Sequence, residues 1–254
     1  MTNISIKNLS FAYKTNKVLK NLNIDFKENR VNVILGLNGS GKTTLLNLLC
    51  KNITKNEKSI YFDETEINEI SRLDLSKKIS YVPQLTSTNN DFYVDDFLMF
   101  SKANTLKFYE TPSNKERKDV IQKAKLCYVD HLLKKKVNEL SGGEKQLVHI
   151  AAALIQNSEI IILDEPLSAL DLINQKRVID LLNQLVKMDK TVIMTAHNPN
   201  ICFYLDAFVI LLNNGEVVDS GESNEIITPK ILNKVYGGYI IFSKDSANEE
   251  VTFK

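Results

Sequence analysis

Gly36-Leu37-Asn38-Gly39-Ser40-Gly41-Lys42-Thr43 fits the pattern G-x-x-x-x-G-K-[ST], and those residue types suit one task, wrapping a chain of phosphates. Glycines at 36, 39 and 41 let the backbone close around an anion and aim its N–H groups at the oxygens. A helix opening near Lys42 adds the positive end of its dipole. Lys42 is suited to reach the outer phosphates, and the Thr43 hydroxyl to ligate Mg²⁺. Leu37, Asn38, Ser40 and Thr44 supply the rest of the cradle. A merely structural glycine turn is the competing reading; the apolar strand before the loop and the leucine-rich helix after it weigh against it. The loop says nucleotide and leaves the class open, because GTPases, kinases and helicases all carry one.

A second cluster is Glu159-Ile160-Ile161-Ile162-Leu163-Asp164-Glu165-Pro166, an apolar run ending in two carboxylates. Asp164 is suited to hold Mg²⁺, directly or through water. Glu165 is suited to polarise the water that attacks the γ-phosphate. Neighbouring strand residues point oppositely, but a turn past the strand end can bring both acids into one cleft. An acid pair capping the next helix is the alternative.

These groups need a frame. Ile4 and Ile6, then Leu22, Ile24 and Phe26, alternate with polar residues as half-buried antiparallel strands do. Val31, Val33, Ile34 and Leu35 form a denser run, expected of a strand covered on both faces. A helix is expected over residues 43–50, and strands over 59–62 and 79–82, the latter stopped by Pro83. From Val94 to about Asn157 helical signals dominate, with a polar break at 111–114. Beyond it, 160–163, 191–194 and 208–212 read as parallel-type strands separated by helices near 170–187 and 198–205. Asn213-Asn214-Gly215 marks a tight turn into a late hairpin at 216–219. Alternating strands and helices imply an α/β sheet with helices on its faces.

Composition excludes more than it selects. With 254 residues, 43% hydrophobic and 25% charged, the chain can bury a sizeable core. No apolar run approaches the roughly 18 residues of a spanning helix, and the first residues show no signal-peptide pattern. A net charge of +1 gives no global drive toward nucleic acid or acidic membranes. The lysines at 77–78 and 134–136 read as solvated surface. Cys50, Cys127 and Cys202 lack metal-ligand spacing and read as buried thiols of a reducing compartment.

Leu140-Ser141-Gly142-Gly143-Glu144-Lys145-Gln146 resembles the signature motif of ATP-binding cassette proteins, and it precedes the acidic strand by about one helix. Ser141 and the backbone of Gly142 and Gly143 open a helix whose N-terminus can face an anion. The resemblance implies a phosphate-loop NTPase core with an antiparallel β subdomain and an inserted α-helical subdomain. It also implies a head-to-tail dimer, each ATP held between one copy's phosphate loop and the other's Ser141–Glu144. Tyr13 stands where the family stacks a ring on adenine, with Phe11 the fallback and core packing the alternative. Gln84 resembles the glutamine that joins the Mg²⁺ shell and reports to the membrane partner. Ser168-Ala169-Leu170-Asp171 resembles the loop that crosses the dimer interface. His197 stands where the family has its γ-phosphate-sensing histidine; His131 and His149 read as structural.

Two positions depart from the pattern. The helix after the signature, Leu147-Val148-His149-Ile150-Ala151-Ala152-Ala153, lacks the arginines many relatives carry, which puts a contact near Glu144 in doubt. Asn198 replaces a commoner aspartate.

The resemblance spans Ile4 to about Gly238, giving a nucleotide-binding domain over 1–238, with antiparallel strands at about 1–30 and 56–70 and a helical subdomain at about 88–157. A tail over 239–254 is left without a legible role and is expected to be partly disordered. Within the family, His197-Asn198-Pro199-Asn200 and the stretch from Gly221 to Leu232 look most like subunits of iron–siderophore, haem and cobalamin importers. Implied partners are a second copy, integral membrane permease subunits and, indirectly, an extracellular solute-binding protein. The implied place is the cytoplasmic face of the cell membrane, and no nucleic acid is expected. An exporter ATPase is the first rival. A soluble cassette acting on DNA or ribosomes is the second, and the short insert and near-neutral charge speak against it. A catalytically dead module is disfavoured because Lys42, Asp164, Glu165 and His197 are all present.

Overall fold

Alternation at the N-terminus becomes a twisted hairpin, β1 (Ile4–Tyr13) and β2 (Asn16–Asp25), paired antiparallel with Ile6 opposite Ile24. The computed structural model describes residues 2–55, 57–84, 91–102, 113–168, 170–237, 240–245 and 248–253, the last two by backbone alone. β4 (Ile60–Phe62) and β5 (Thr65–Glu66) join the hairpin in a four-stranded sheet of order β2-β1-β4-β5, where β3 is Val31–Leu35 of a second sheet. That second sheet has six strands in the order β10-β9-β3-β8-β7-β6. Its members are β6 (Ile79–Val82), β7 (Ile160–Leu163), β8 (Thr191–Ala196), β9 (Phe208–Asn213) and β10 (Glu216–Glu222), together with β3. All neighbours run parallel except the β9–β10 hairpin.

Strand periodicity sorts the core into two. Ile34, Ile160, Ile162 and Ile210 face one side, against α1 (Lys42–Leu49) and the four-stranded sheet. Val33, Leu35, Ile161 and Leu163 face the other, against α5 (Gly142–Gln156) and α6 (Leu172–Lys187). Covering both faces explains why these strands read as unbroken apolar runs. α2 (Arg72–Lys78) leads into β6. α3 (Val94–Phe100) and α4 (Asn114–Leu126) pack on α5 and on each other. α7 (Asn200–Tyr204), α8 (Ser223–Ile226) and α9 (Pro229–Tyr236) complete the α-helices among the described residues.

The differences from expectation have local causes. α6 starts at Leu172 rather than 170 because the Asp171 carboxylate caps it, accepting from the Asn174 N–H at 2.8 Å. α7 starts at Asn200 because Asn198 Oδ1 accepts from the Asn200 N–H at 3.0 Å, before the helix begins. The tail is paired rather than disordered at its backbone: β11 (Ile240–Asp245) and β12 (Asn248–Phe253) form a two-stranded antiparallel sheet beside α9. Ala169, half of the expected polar break (111–112), and the boundary pair 238–239 lie outside the described residues. Among the described residues no helix is long and apolar enough to cross a membrane.

Candidate functional site

The glycine loop joins β3 to α1 and takes its shape from contacts that leave no room for side chains. A Cβ on Gly36 would sit 2.2 Å from the Leu212 carbonyl oxygen of β9. Gly41 has φ +103°, and its Cβ would lie 2.6 Å from Leu19 Cδ2 of β2. Lys42 lies almost wholly buried at 5% exposure, its Nζ donating to the carbonyls of Gly36 and Leu37 at 2.9 and 3.0 Å. Burial pushes the lysine pKa down, while Glu165 and Asp164 pull it back up. The Ser40 hydroxyl is buried and has no partner among the described residues. An orphaned buried hydroxyl costs about 1–3 kcal/mol, and this one lies against Gly36, where an added Cβ would come within 2.8 Å of it.

β7 delivers the two acids to the same end of the sheet. Asp164 is 1% exposed and its Oδ1 accepts from the Thr195 hydroxyl at 2.6 Å. Glu165 adopts φ +47°, unusual for a residue with a side chain; Glu165 lines the cavity described below, while Asp164 lies buried beneath the surface and lines none of it. Its carboxylate is the meeting point of the site. Oε1 lies 4.0 Å from Lys42 Nζ, Oε2 accepts from Gln84 Nε2 at 3.2 Å, and His197 Nδ1 lies 4.0 Å from Oε2. A cavity of about 470 Å³ opens here between Val18 of β2, the loop from Asn38 to Thr44, Gln84 and Glu165. A smaller one of about 170 Å³ lies on the far side of Glu165, bounded by Ser168, Gln175, Thr195, His197 and Asn198.

The candidate metal donors fit Mg²⁺. Asp164, Thr43 and Gln84 offer one carboxylate and two neutral oxygens, and no cluster of three His, Cys, Asp or Glu side chains suited to a metal exists among the described residues. Mg²⁺ is usually held by one or two carboxylates, with substrate phosphates and water completing its octahedron.

Other expected positions stand apart from this cavity. The Tyr13 ring is 46% exposed and meets Phe11 edge-on, centroids 5.0 Å apart; neither lines the cavity. Ser141 caps α5 in a reciprocal box: its N–H and hydroxyl donate to Glu144 Oε2, both at 2.8 Å, and its Oγ accepts from the Glu144 N–H at 3.3 Å. Those bonds hold the Glu144 carboxyl below the usual range. Ser141 and Gly142 are exposed, and no residue from Ser141 to Glu144 reaches the cavity wall. Asp171 is exposed and caps α6. His149 packs edge-on against Phe97, away from the site as expected; His131 is exposed.

Sequence reasoning missed Thr195, Val18 and Tyr236. Thr195 was visible only as an interior strand residue, Val18 lines the cavity from the hairpin, and the Tyr236 hydroxyl donates to the His197 carbonyl at 3.3 Å. A polar residue at an otherwise apolar position of β8 is the one signal that marked Thr195.

A largely parallel sheet with a buried lysine in the glycine loop after β3, and two acids at the end of β7, the next strand but one, defines a phosphate-loop NTPase. The profile of the ABC transporter family matches residues 19–168, and the chain belongs to that family, as an ATP-binding, ATP-hydrolysing subunit. It is 34% identical to the hemin import ATP-binding protein HmuV of Aliivibrio fischeri, over 92% of this chain and 90% of the relative. Against the iron(3+)-hydroxamate import ATP-binding protein FhuC of Bacillus subtilis it is 26% identical, over 93% and 88%. Among solved structures it is similar to an inward-facing metal-chelate type ABC transporter, with a TM-score of 0.84 and 28% identity over 100% of this chain and 96% of the other. It is also similar to a dimeric bacterial ABC transporter cassette, with a TM-score of 0.75 and 29% identity over 87% and 98%.

Proposed function

We propose that this subunit powers import of an iron–siderophore, haem or related metal chelate across the cytoplasmic membrane. It works as a head-to-tail pair on the cytoplasmic face of integral membrane permease subunits, which receive cargo from an extracellular solute-binding protein. The names of its relatives and its likeness to a metal-chelate type transporter support the cargo class. The dimeric cassette of similar fold supports the pairing. Residues 1–238 form the nucleotide-binding domain, with the helical subdomain at about 88–157, and 239–254 a C-terminal tail.

Each site residue takes a role in that reading. Lys42, the hydroxyl of Thr43 and the N–H groups of residues 36–44 bind the phosphates; Tyr13 stacks on the base. Asp164, Thr43 and Gln84 hold Mg²⁺, which when bound neutralises phosphate charge. Glu165 takes a proton from the water that attacks the γ-phosphorus as the bond to the β–γ bridging oxygen breaks. His197 orients that water and senses the γ-phosphate. Ser141, Gly142, Gly143 and Glu144 of the second copy, with Asp171 near the seam, close the site from the other side. Electrostatic groups fixed in advance of reaction are worth most where water is excluded.

The observation that carries this reading is the convergence of Lys42, Gln84 and His197 on the Glu165 carboxylate. Glu165→Gln is expected to lower ATP turnover by about 10²–10⁴-fold, the usual cost of losing a base, while leaving ATP binding intact. Near-native turnover would remove Glu165 from the role. With permease and binding protein in vesicles, ferric-siderophore or haem is expected to stimulate ATPase activity from outside. Stimulation only by cargo on the cytoplasmic side would reverse the direction assigned.

A further inference from the structure

We infer that Thr195 is a positioning residue for hydrolysis, a single buried hydroxyl that sets both the metal-binding and the water-activating carboxylate. This rests on the roles proposed above for Asp164 and Glu165. Thr195 lies in β8, fully buried at 0% exposure, one residue beyond the Leu163–Met194 pair that ends the β7–β8 ladder. Its Oγ1 donates to Asp164 Oδ1 at 2.6 Å and accepts from the Glu165 backbone N–H at 2.8 Å. A hydroxyl has one proton and two lone pairs, so both bonds are made at once by the same atom.

Each bond fixes something the site needs. The proton spent on Oδ1 holds the Asp164 side chain in one rotamer, and Oδ2 accepts no hydrogen bond among the described residues, which leaves it for a cation. The bond accepted from Glu165 anchors the residue whose φ of +47° the backbone would otherwise relax. Positive φ persists in a side-chain-bearing residue only where surroundings hold it. One residue past the end of β7 the Asp164 N–H still donates to the Val82 carbonyl of β6 at 2.9 Å; at Glu165 the acceptor is the Thr195 hydroxyl instead. From there the Glu165 carboxylate reaches Lys42, Gln84 and His197.

Valine has the shape of threonine without the hydroxyl, so Thr195→Val tests the bonds and keeps the packing. In the full-length protein, kcat is expected to fall about 10–100-fold, an order typical of misplaced catalytic groups. Titration calorimetry separates this from a merely structural role. Wild type is expected to bind MgATP more tightly than ATP in EDTA. Thr195→Val is expected to lose that Mg²⁺-dependent increment and to bind ATP in EDTA as wild type does. Thr195→Ser keeps donor and acceptor and is expected to restore turnover to within about threefold; Thr195→Cys, a weaker donor, falls between. If Thr195→Val does not fold, the cysteine and serine pair carries the test alone. Near-native kcat and Mg²⁺ dependence in the valine variant, or in the cysteine variant when valine fails to fold, overturns the inference. So does a serine variant as slow as valine. A wild-type protein that hydrolyses no ATP, alone or with its permease, instead refutes the proposed function.

Discussion

The loop around Lys42 and the helix start at Ser141 are both surfaces rich in backbone donors, yet they are built in opposite ways. Around Lys42 the cation is buried, the glycines are locked by β2 and β9, and the Ser40 hydroxyl lacks a partner. At Ser141 the residues are exposed, and the serine is satisfied by its own capping box with Glu144. The first region is a buried cation held by loop carbonyls. The second is a stable helix end that costs nothing to leave in water. The pocket and the exposed helix start stand apart within one chain, the arrangement that the proposed head-to-tail pairing of two copies calls for.

The contrast breaks first at Lys42. Lys42→Ala is expected to weaken ATP binding by about 10–10²-fold, since a charge-assisted bond to phosphate is worth about 1.5–3 kcal/mol; unchanged affinity by calorimetry would contradict the pocket. Ser141→Arg should do the reverse. Nucleotide affinity of the isolated chain stays as in wild type, while turnover falls about 10²-fold, the typical cost of losing one stabilising donor. An isolated chain that binds ATP less well after this change would mean the two surfaces share one nucleotide. Gly41→Ala should be felt by the fold itself, lowering stability by about 1–3 kcal/mol because of its φ and the closeness of Leu19; urea denaturation measures it.

The smallest effect concerns the cap. Hydrogen bonds from Ser141 hold the Glu144 pKa below its unfolded value. Its stabilisation is therefore present above the ordinary carboxylate range and lost as pH falls through the depressed value. Glu144→Gln is expected to cost at most about 1 kcal/mol at neutral pH, and the gap from wild type should close on acidification. A gap constant with pH would show that the carboxylate's charge does not matter there.

What could be read from the chain and what could not divides along sequence distance. The glycine loop, the acidic strand and the Ser141 box are contiguous, so residue type and spacing disclose them, along with the apolar runs that bury β3, β7 and β8. Strand order is another matter: β3 lies between β8 and β9, partners more than 150 residues away, and no local pattern encodes that. Thr195 escaped for the same reason, because its two acceptor and donor partners stand 31 and 30 residues upstream. The bond from Tyr236 to the His197 carbonyl joins residues 39 apart. The terminal hairpin was hidden differently: Ile240, Ile241, Phe242, Val251 and Phe253 favour strands, but no motif or resemblance reaches them, and a chain end is expected to be partly disordered.

The most direct test of a nucleotide gripped between two copies is the mass of the Glu165→Gln protein by sedimentation with and without MgATP. Two chains per particle with MgATP, and one without, is the expected result. A particle that stays monomeric at saturating MgATP, even with its permease supplied, would contradict the account.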